Sequence, residues 1–203
     1  QITNSSNVII RAAKSTNTAV VLVGHVTKEG SIAGPKVLEH LVDVVLSFEG
    51  DRYGGFRIVR AQKNRYGSTN EAAIFEMSDE GLKIVDNPSA SLLEERQNLD
   101  GSIVLATLEG ARPLLVEIQA LVNPTSFGYP KRTASGFDLN RLNLLIAVLE
   151  KRTKLKLSDK DIFINVVGGL KLSDPAADLA VAMAIASASA GKKLSDEAVV
   201  FGE

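Results

Sequence analysis

The sequence predicts an α/β protein in two parts, a mixed sheet with a parallel core followed by a second, α+β unit. Three observations predict it. A helical spacing at the amino end leads into a continuous β-branched run at 18–26, the pattern of a strand covered on both faces. A stretch rich in Pro, Ser, Asn and charge at 86–101 then interrupts the apolar segments, which marks a boundary. Beyond it, period-two alternation gives way to helical stripes.

Taken in order, QITNSSNVIIRAAKST places Val8, Ile9, Ala12 and Ala13 at helical spacing, already under way at the first residue, so this end reads as a cut. TAVVLVGHV, 18–26, is the buried strand. GPKVLEHLVD, 34–43, opens with Pro35 near a first-turn position and sets Val37, Leu38 and Leu41 on one face of a helix, leading into the strand VVLSFEG, 44–50. FRIVRAQ, 56–62, sets apolar Phe56, Ile58, Val59 and Ala61 against Arg57, Arg60 and Gln62, a strand with one polar face near a sheet edge. AAIFEMSDEGLKIV, 72–85, is a hairpin about the turn from Ser78 to Gly81, so the late strands are antiparallel additions to the parallel core.

In 86–101 only Leu92, Leu93 and Leu99 can anchor anything. The next run, 102–122, is a hairpin around Glu109 to Pro113, with Leu115, Glu117, Gln119 and Leu121 out of phase with Val116, Ile118 and Ala120. Residues 137–157 form a helix capped by Asp138 or Asn140, with Leu142, Leu145, Ile146 and Leu149 in one stripe. DIFINVVGG, 161–169, is a buried strand. The alanine- and serine-rich helix after it takes Asp174 as N-cap, Pro175 as its first residue and Gly191 as its stop, and lets another backbone approach closely. VVFGE ends just after an apolar run, so the carboxyl end also reads as a cut.

Composition narrows the function. With 203 residues, 45% hydrophobic and 23% charged, the chain has material for one large core or two smaller ones. The absence of cysteine excludes disulfides and thiolate zinc sites, and His25 and His40 stand in unrelated contexts, against a metal cluster. No membrane span or signal peptide is legible, which leaves the cytoplasm as the default. A net charge of −1 advertises no nucleic-acid binder, so any such site must be local.

Several common motifs are missing. GSIAGPK, 30–36, has the glycines and lysine of a phosphate loop at the wrong spacing, and Pro35 removes an amide donor such a cradle needs. No nucleophile elbow and no H-E-x-x-H occurs. Polar groups at strand ends remain. GHVTKEG, 24–30, offers His25, Thr27, Lys28 and Glu29 at the carboxyl edge where α/β sheets bind ligands. KNRYG, 63–67, sets Lys63 and Arg65 around an amide at the end of a later strand. By pattern alone those two cations are ordinary solvated turn residues, His25 is a histidine satisfied by backbone groups, and Lys28 sits in a plain surface loop.

The ordered series VGHVTKEG, AGPKVLEHLVDVVLSFEGDR, KNRYG, EGARPLLVEIQALV and NRLNLLIAVLEKR resembles the bacterial RadA/Sms family of DNA recombination and repair proteins, over essentially the whole chain. The family signature KNRFG has phenylalanine where this chain has Tyr66, a mild change that leaves the cations alone. The resemblance implies the C-terminal part of a RecA-like ATPase in 1–88, a linker at 89–101 and a truncated Lon-protease-like domain in 102–203. It implies ATP and Mg2+ as cofactors of the full-length protein, zinc only in an amino-terminal finger outside this chain, and a homohexameric ring working on single-stranded and branched DNA with a recombinase such as RecA. Lys63 and Arg65 would then act on ATP held by a neighbouring subunit, where such a cation is worth about 10³ to 10⁵ in rate. His25 would be a phosphate sensor, Lys28 a channel contact to single-stranded DNA, and Lys131 with Arg132 in SFGYPKRTASG a duplex DNA contact, against the alternative of a solvated loop. Two rival readings stand beside this motor. One is a Lon-type Ser-Lys peptidase, opposed because Ala176 occupies the nucleophile position after Pro175, Ser173 is on the wrong side of the proline, and the dyad lysine would lie past Glu203. The other is a noncatalytic DNA-binding scaffold, since this stretch alone lacks the phosphate loop.

Overall fold

The computed structural model describes residues 2–24, 37–50, 55–126 and 128–203. They divide into two units, one made of Gln1–Ser47 and Arg60–Glu71, the other of Phe48–Val59 and Ala72–Glu203. The protein is mixed α/β, with strands in two sheets of order β1-β2-β3-β4 and β7-β8-β6-β5-β9.

In the first unit, helix α1 spans Ile2–Thr16. Asn17 ends it by taking a left-handed φ of 50°, and the Thr18 N–H returns to the Ala13 carbonyl. The predicted strand over 18–26 is not formed over 18–24. Those residues are in no strand, and Val21 and Val23 are 88% and 91% exposed. An apolar run buries itself only where sheet neighbours and covering helices exist, and no described strand pairs with this one. Val8 and Ile9 on α1 are exposed as well. Helix α2, Val37–Leu41, follows, then β1, Val44–Glu49, and β2, Phe56–Asn64, both of which run on into the other unit.

The second unit builds its core from β-branched and leucine side chains. β3, Ala72–Ser78, and β4, Gly81–Ile84, form the predicted hairpin, in register from Phe75↔Ile84 to Ser78↔Gly81. The stretch read as linker contains helix α3, Pro88–Leu93, capped by the Asn87 side chain, which accepts from the Ala90 N–H. Its Leu92 joins Ile58, Ile74 and Val85 in one apolar cluster with the strands and helices beyond residue 102. A three-residue apolar set within a polar segment was enough to fix a helix, because one side chain reached a core.

β5, Ser102–Glu109, and β6, Arg112–Pro124, pair antiparallel, β6 pairs antiparallel with β8, Lys160–Val166, and β7, Arg132–Ser135, runs parallel to β8. β7 falls inside a segment the sequence presents as a loop, since four residues are too few to show a period. Helix α4, Leu139–Arg152, is capped by Asp138, whose carboxylate accepts the Arg141 N–H, and it buries Leu142 and Ile146 of the predicted stripe. Helix α5, Ala177–Ala190, begins two residues later than expected. Asp174 instead holds the preceding turn, its carboxylate accepting the Ala176 N–H at 3.0 Å, while Gly191 stops the helix at φ 59° as predicted.

The small side chains of α5 let the strands approach. Gly101, at φ 82°, has no room for a Cβ, which would meet the Ala120 carbonyl and sit 3.2 Å from the Ala188 Cβ. Its N–H donates to Ser187 Oγ at 2.9 Å, and that hydroxyl donates to the Lys192 carbonyl at 2.6 Å. Last comes β9, Val199–Val200, parallel to β5, after which the Gly202 N–H bonds the Ala176 carbonyl and the Gly202 carbonyl accepts the Leu179 N–H.

Candidate functional site

Lys63 lies at the end of β2, where a strand finishing in alternating polar residues delivers its side chain to the end of α2 in the same unit. The Nζ donates to the carbonyls of Glu39 and Val42, each at 2.8 Å, and to that of His40 at 3.3 Å. A short helix leaves its last carbonyls without partners, and a lysine there satisfies them and complements the negative end of the helix dipole. All three ammonium donors are thereby used.

Arg65 is held differently. Its Nη1 pairs with Asp43 Oδ1 at 3.0 Å, Nη2 lies 3.5 Å from the His40 carbonyl, and its backbone N–H donates to the Asp43 carbonyl at 3.1 Å. Both partners of the pair are substantially exposed, so the bond is worth roughly 0–1 kcal/mol and is easily exchanged for another anion. The turn is shaped locally, since Asn64 Oδ1 accepts the Tyr66 N–H, and Tyr66 itself points outward, 81% exposed. The two cations of the turn are therefore met, at rest, by carbonyls and a carboxylate of the same chain. Lys63 is a strut, whereas Arg65 carries a half-exposed planar fork with two weak partners, the Asp43 carboxylate and the His40 carbonyl.

His25 and Lys28 lie outside the described residues. Lys131 and Arg132 adjoin at the start of β7, in the second unit. Arg132 turns inward: Nη1 donates to the carbonyls of Lys131 and Lys160, and Nη2 to that of Leu157 at 2.7 Å. Burial pushes its guanidinium below the usual range, opposed by the nearby carboxylates of Asp161 and Glu150. The Lys131 N–H donates to Asp161 Oδ1 at 2.7 Å.

What Arg132 braces is a second basic feature that the sequence reading passed over. Lys151, Arg152, Lys154 and Lys156 fall within six consecutive positions and are all exposed. Glu150 organises the turn that presents them, one carboxylate oxygen accepting the N–H of Leu157 at 2.8 Å and of Ser158 at 2.6 Å. Those backbone bonds, the Leu157 one first, hold its carboxyl below the ordinary carboxylate range against a smaller desolvation effect. The available signal was the density of cations at the end of a helix, which also suits the dipole.

Just before α5 the residue after Pro175 is Ala176, whose methyl side chain offers no nucleophile. Arg141 Nε pairs with Asp178 Oδ1 at 2.7 Å, its Nη1 reaches the Ser173 carbonyl at 3.4 Å, and its guanidinium lies 5.7 Å from the centre of the Phe137 ring. These groups join the first turns of α4 and α5. Among the described residues no cluster of three metal-binding side chains occurs, and no helix is long and apolar enough to cross a membrane.

No protein-family model matches the chain. Curated proteins do. The chain is similar to the DNA repair protein RadA of Halalkalibacterium halodurans, with 52% identity over 204 residues, covering 100% of this chain and 45% of that protein. The DNA repair protein RadA of Listeria monocytogenes is 53% identical over the same length and coverage. That of Bacillus subtilis is 56% identical over 188 residues, 92% of this chain and 41% of its own length. The chain spans less than half the length of these relatives.

Proposed function

The chain belongs to the bacterial RadA/Sms family, and on that premise we propose that it is part of an ATP-dependent DNA motor of recombination and repair. Residues 1–88 supply the C-terminal part of a RecA-like ATPase, 89–101 the connection, and 102–203 a Lon-protease-like domain that serves as a non-proteolytic scaffold. The motor is a hexameric ring that acts on single-stranded and joint DNA, promotes branch migration and works beside a recombinase such as RecA. The exposed apolar run at 20–23 supports the ATPase half, because it has the composition of a core parallel strand and lacks neighbours among the described residues.

One observation carries the site: the fork of Arg65, held by a half-exposed ion pair and a long bond to the His40 carbonyl, at the tip of a turn rooted by Lys63. The residues fit a triphosphate presented by another protomer. ATP with Mg2+ supplies the phosphoryl group and part of its counter-charge when bound. Arg65 exchanges Asp43 for phosphate oxygens, and Lys63 fixes the turn and adds a point charge, so the site is complete only in the ring. Positive charge where the transferring group gains charge is worth about 10³ to 10⁵ in rate. Duplex DNA meets the exposed run Lys151–Lys156 and Lys131, while Arg132 holds the first of these in shape.

The test uses the full-length protein. Lys63→Ala and Arg65→Ala should bind nucleotide and fail to hydrolyse it, and rings mixed with a phosphate-loop mutant should recover part of the activity. Normal hydrolysis by both variants would remove the site assignment. Cleavage of a peptide by the intact protein would revive the peptidase reading.

A further inference from the structure

The second unit gathers several segments at one pole. The register pairs Pro124↔Lys160 and Arg132↔Ile162 set the end of β6 and the start of β7 beside the start of β8. The last turn of α4 returns to the same end, where Glu150 accepts the Leu157 and Ser158 N–H groups and Arg132 Nη2 donates to the Leu157 carbonyl at 2.7 Å. Lys131, Lys151, Arg152, Lys154 and Lys156 are all exposed there. Of the acids nearby, Glu150 and Asp161 spend carboxylate oxygens on main-chain N–H groups, and Asp159 is exposed. The pole is therefore basic, a local field that the overall net charge of −1 conceals.

Between β6 and β7 runs a loop tied at both feet. The Thr125 N–H donates to the Asp159 carbonyl at 3.0 Å. At the other foot the Lys131 N–H donates to Asp161 Oδ1 at 2.7 Å, and the Lys131 carbonyl accepts the Ile162 N–H at 2.9 Å. Tyr129 stands on this loop two residues before Lys131 and is 89% exposed, more than any other large apolar residue described in the second unit. Pro130 disfavours the helical region of the Tyr129 backbone, which narrows the conformations open to it. A lone exposed ring demands no partner. An exposed ring on a pinned loop among cations has a specific use, because folding has already restricted it and its surroundings attract a polyanion.

We propose that Tyr129 stacks on an unpaired base of DNA, beside the duplex phosphates held by Lys131 and the run 151–156. The inference rests on the reading of that run as a duplex contact and adds the kind of DNA favoured, one with a base unpaired next to a duplex. The ring offers a flat surface that any base can cover, so the contact is tolerant of sequence, while the phosphates supply the salt-dependent part of the affinity. Inside a continuous duplex every base is already stacked on its neighbours, and pulling one free costs energy that an unpaired base does not require. The site uses none of the residues of the cationic turn.

The test measures binding of the full-length protein to an uninterrupted duplex and to the same duplex with a small central bulge of unpaired thymines, over a range of salt. Tyr129→Leu should bind the bulged duplex about fivefold or more weakly than the native protein does, as expected for one lost base stack, and should bind the uninterrupted duplex equally well. Its slope of log affinity against log salt should not change, because a neutral ring releases no counterions. Tyr129→Phe keeps the ring and should match the native protein on both. Lys154→Ala should weaken both complexes alike and lower the slope by about 1. Undiminished binding of the bulged duplex by Tyr129→Leu, an equal loss on both duplexes, or a loss in Tyr129→Phe as large as in Tyr129→Leu overturns the stacking. If the stacking falls while Lys154→Ala still lowers the slope, the basic run remains a duplex contact and Tyr129 serves a partner other than DNA, such as a protein surface. If Lys154→Ala changes neither complex, the duplex reading falls as well.

Discussion

Replacing Lys63 with methionine keeps the stem of the side chain and removes its three donors. The change uncovers the carbonyls of Glu39, His40 and Val42 at the end of α2. A hydrogen bond from a charged group is worth about 1.5–3 kcal/mol, and a cation at a helix C-terminus about 0.3–1 kcal/mol. Water reaches the His40 carbonyl and makes good part of the loss, so the net cost is about 2 kcal/mol, or a factor of roughly 30 in local opening. Hydrogen exchange reads it directly. The Val42 N–H, bonded to the Leu38 carbonyl at 3.3 Å, and the Arg65 N–H, bonded to the Asp43 carbonyl at 3.1 Å, should exchange about tenfold or more faster, while the amides of Ile103 and Leu105 in β5 stay unchanged. Unaltered protection at Val42 and Arg65 would refute the strut. The same measurement separates two effects that an activity assay merges, because Arg65→Gln leaves the strut intact and should abolish hydrolysis without loosening Val42.

Acid should release the basic turn: the carboxyl of Glu150 titrates below its unfolded value of about 4.3, so its contribution is present above that pH and lost as pH falls through the folded value, seen as a low midpoint in the Leu157 and Ser158 amide shifts. Glu150→Gln should leave those amides independent of pH across the same range. Ser187→Ala strands the buried Gly101 N–H and should cost about 1–3 kcal/mol in chemical denaturation, while Gly101→Val should cost more, since φ 82° and the Ala120 carbonyl both oppose a side chain. Lys151→Ala with Lys154→Ala should lower the slope of log affinity against log salt for duplex DNA by about 1–2, whereas Arg132→Ala should reduce thermal stability and disorder the turn at 157–160.

Period and punctuation made the second unit readable. Asp138 before an apolar stripe, Gly191 after one, and Ser78 to Gly81 between alternating runs each act within a few residues, so local physics dictates them. The run at 18–24 misled for the opposite reason, because burial of a parallel strand is decided by partners remote in sequence. Leu92 looked like a weak anchor in a linker and proved to be a core residue, since one well-placed side chain suffices when the surrounding strands supply a socket. At the site, the pattern KNRYG marked two cations without saying that Lys63 would close a helix end. Arg132 looked like a surface charge and is a brace, because which carbonyls surround a guanidinium depends on a turn 25 residues further on. Glu117 was placed only in the phase shared with Leu115 and Gln119, and nothing local showed that it would be buried against the Ser102 hydroxyl.

The shortest strand among the described residues has a protective consequence. β5 would otherwise present the main-chain groups of Val104 and Leu105 to any passing extended chain, and two residues of β9 cover them. Gly202 then buckles that cover to the first turn of α5 from both sides of its own peptide. Removing residues 199–203 should therefore leave a molecule that still folds at high dilution and grows sticky as its concentration rises.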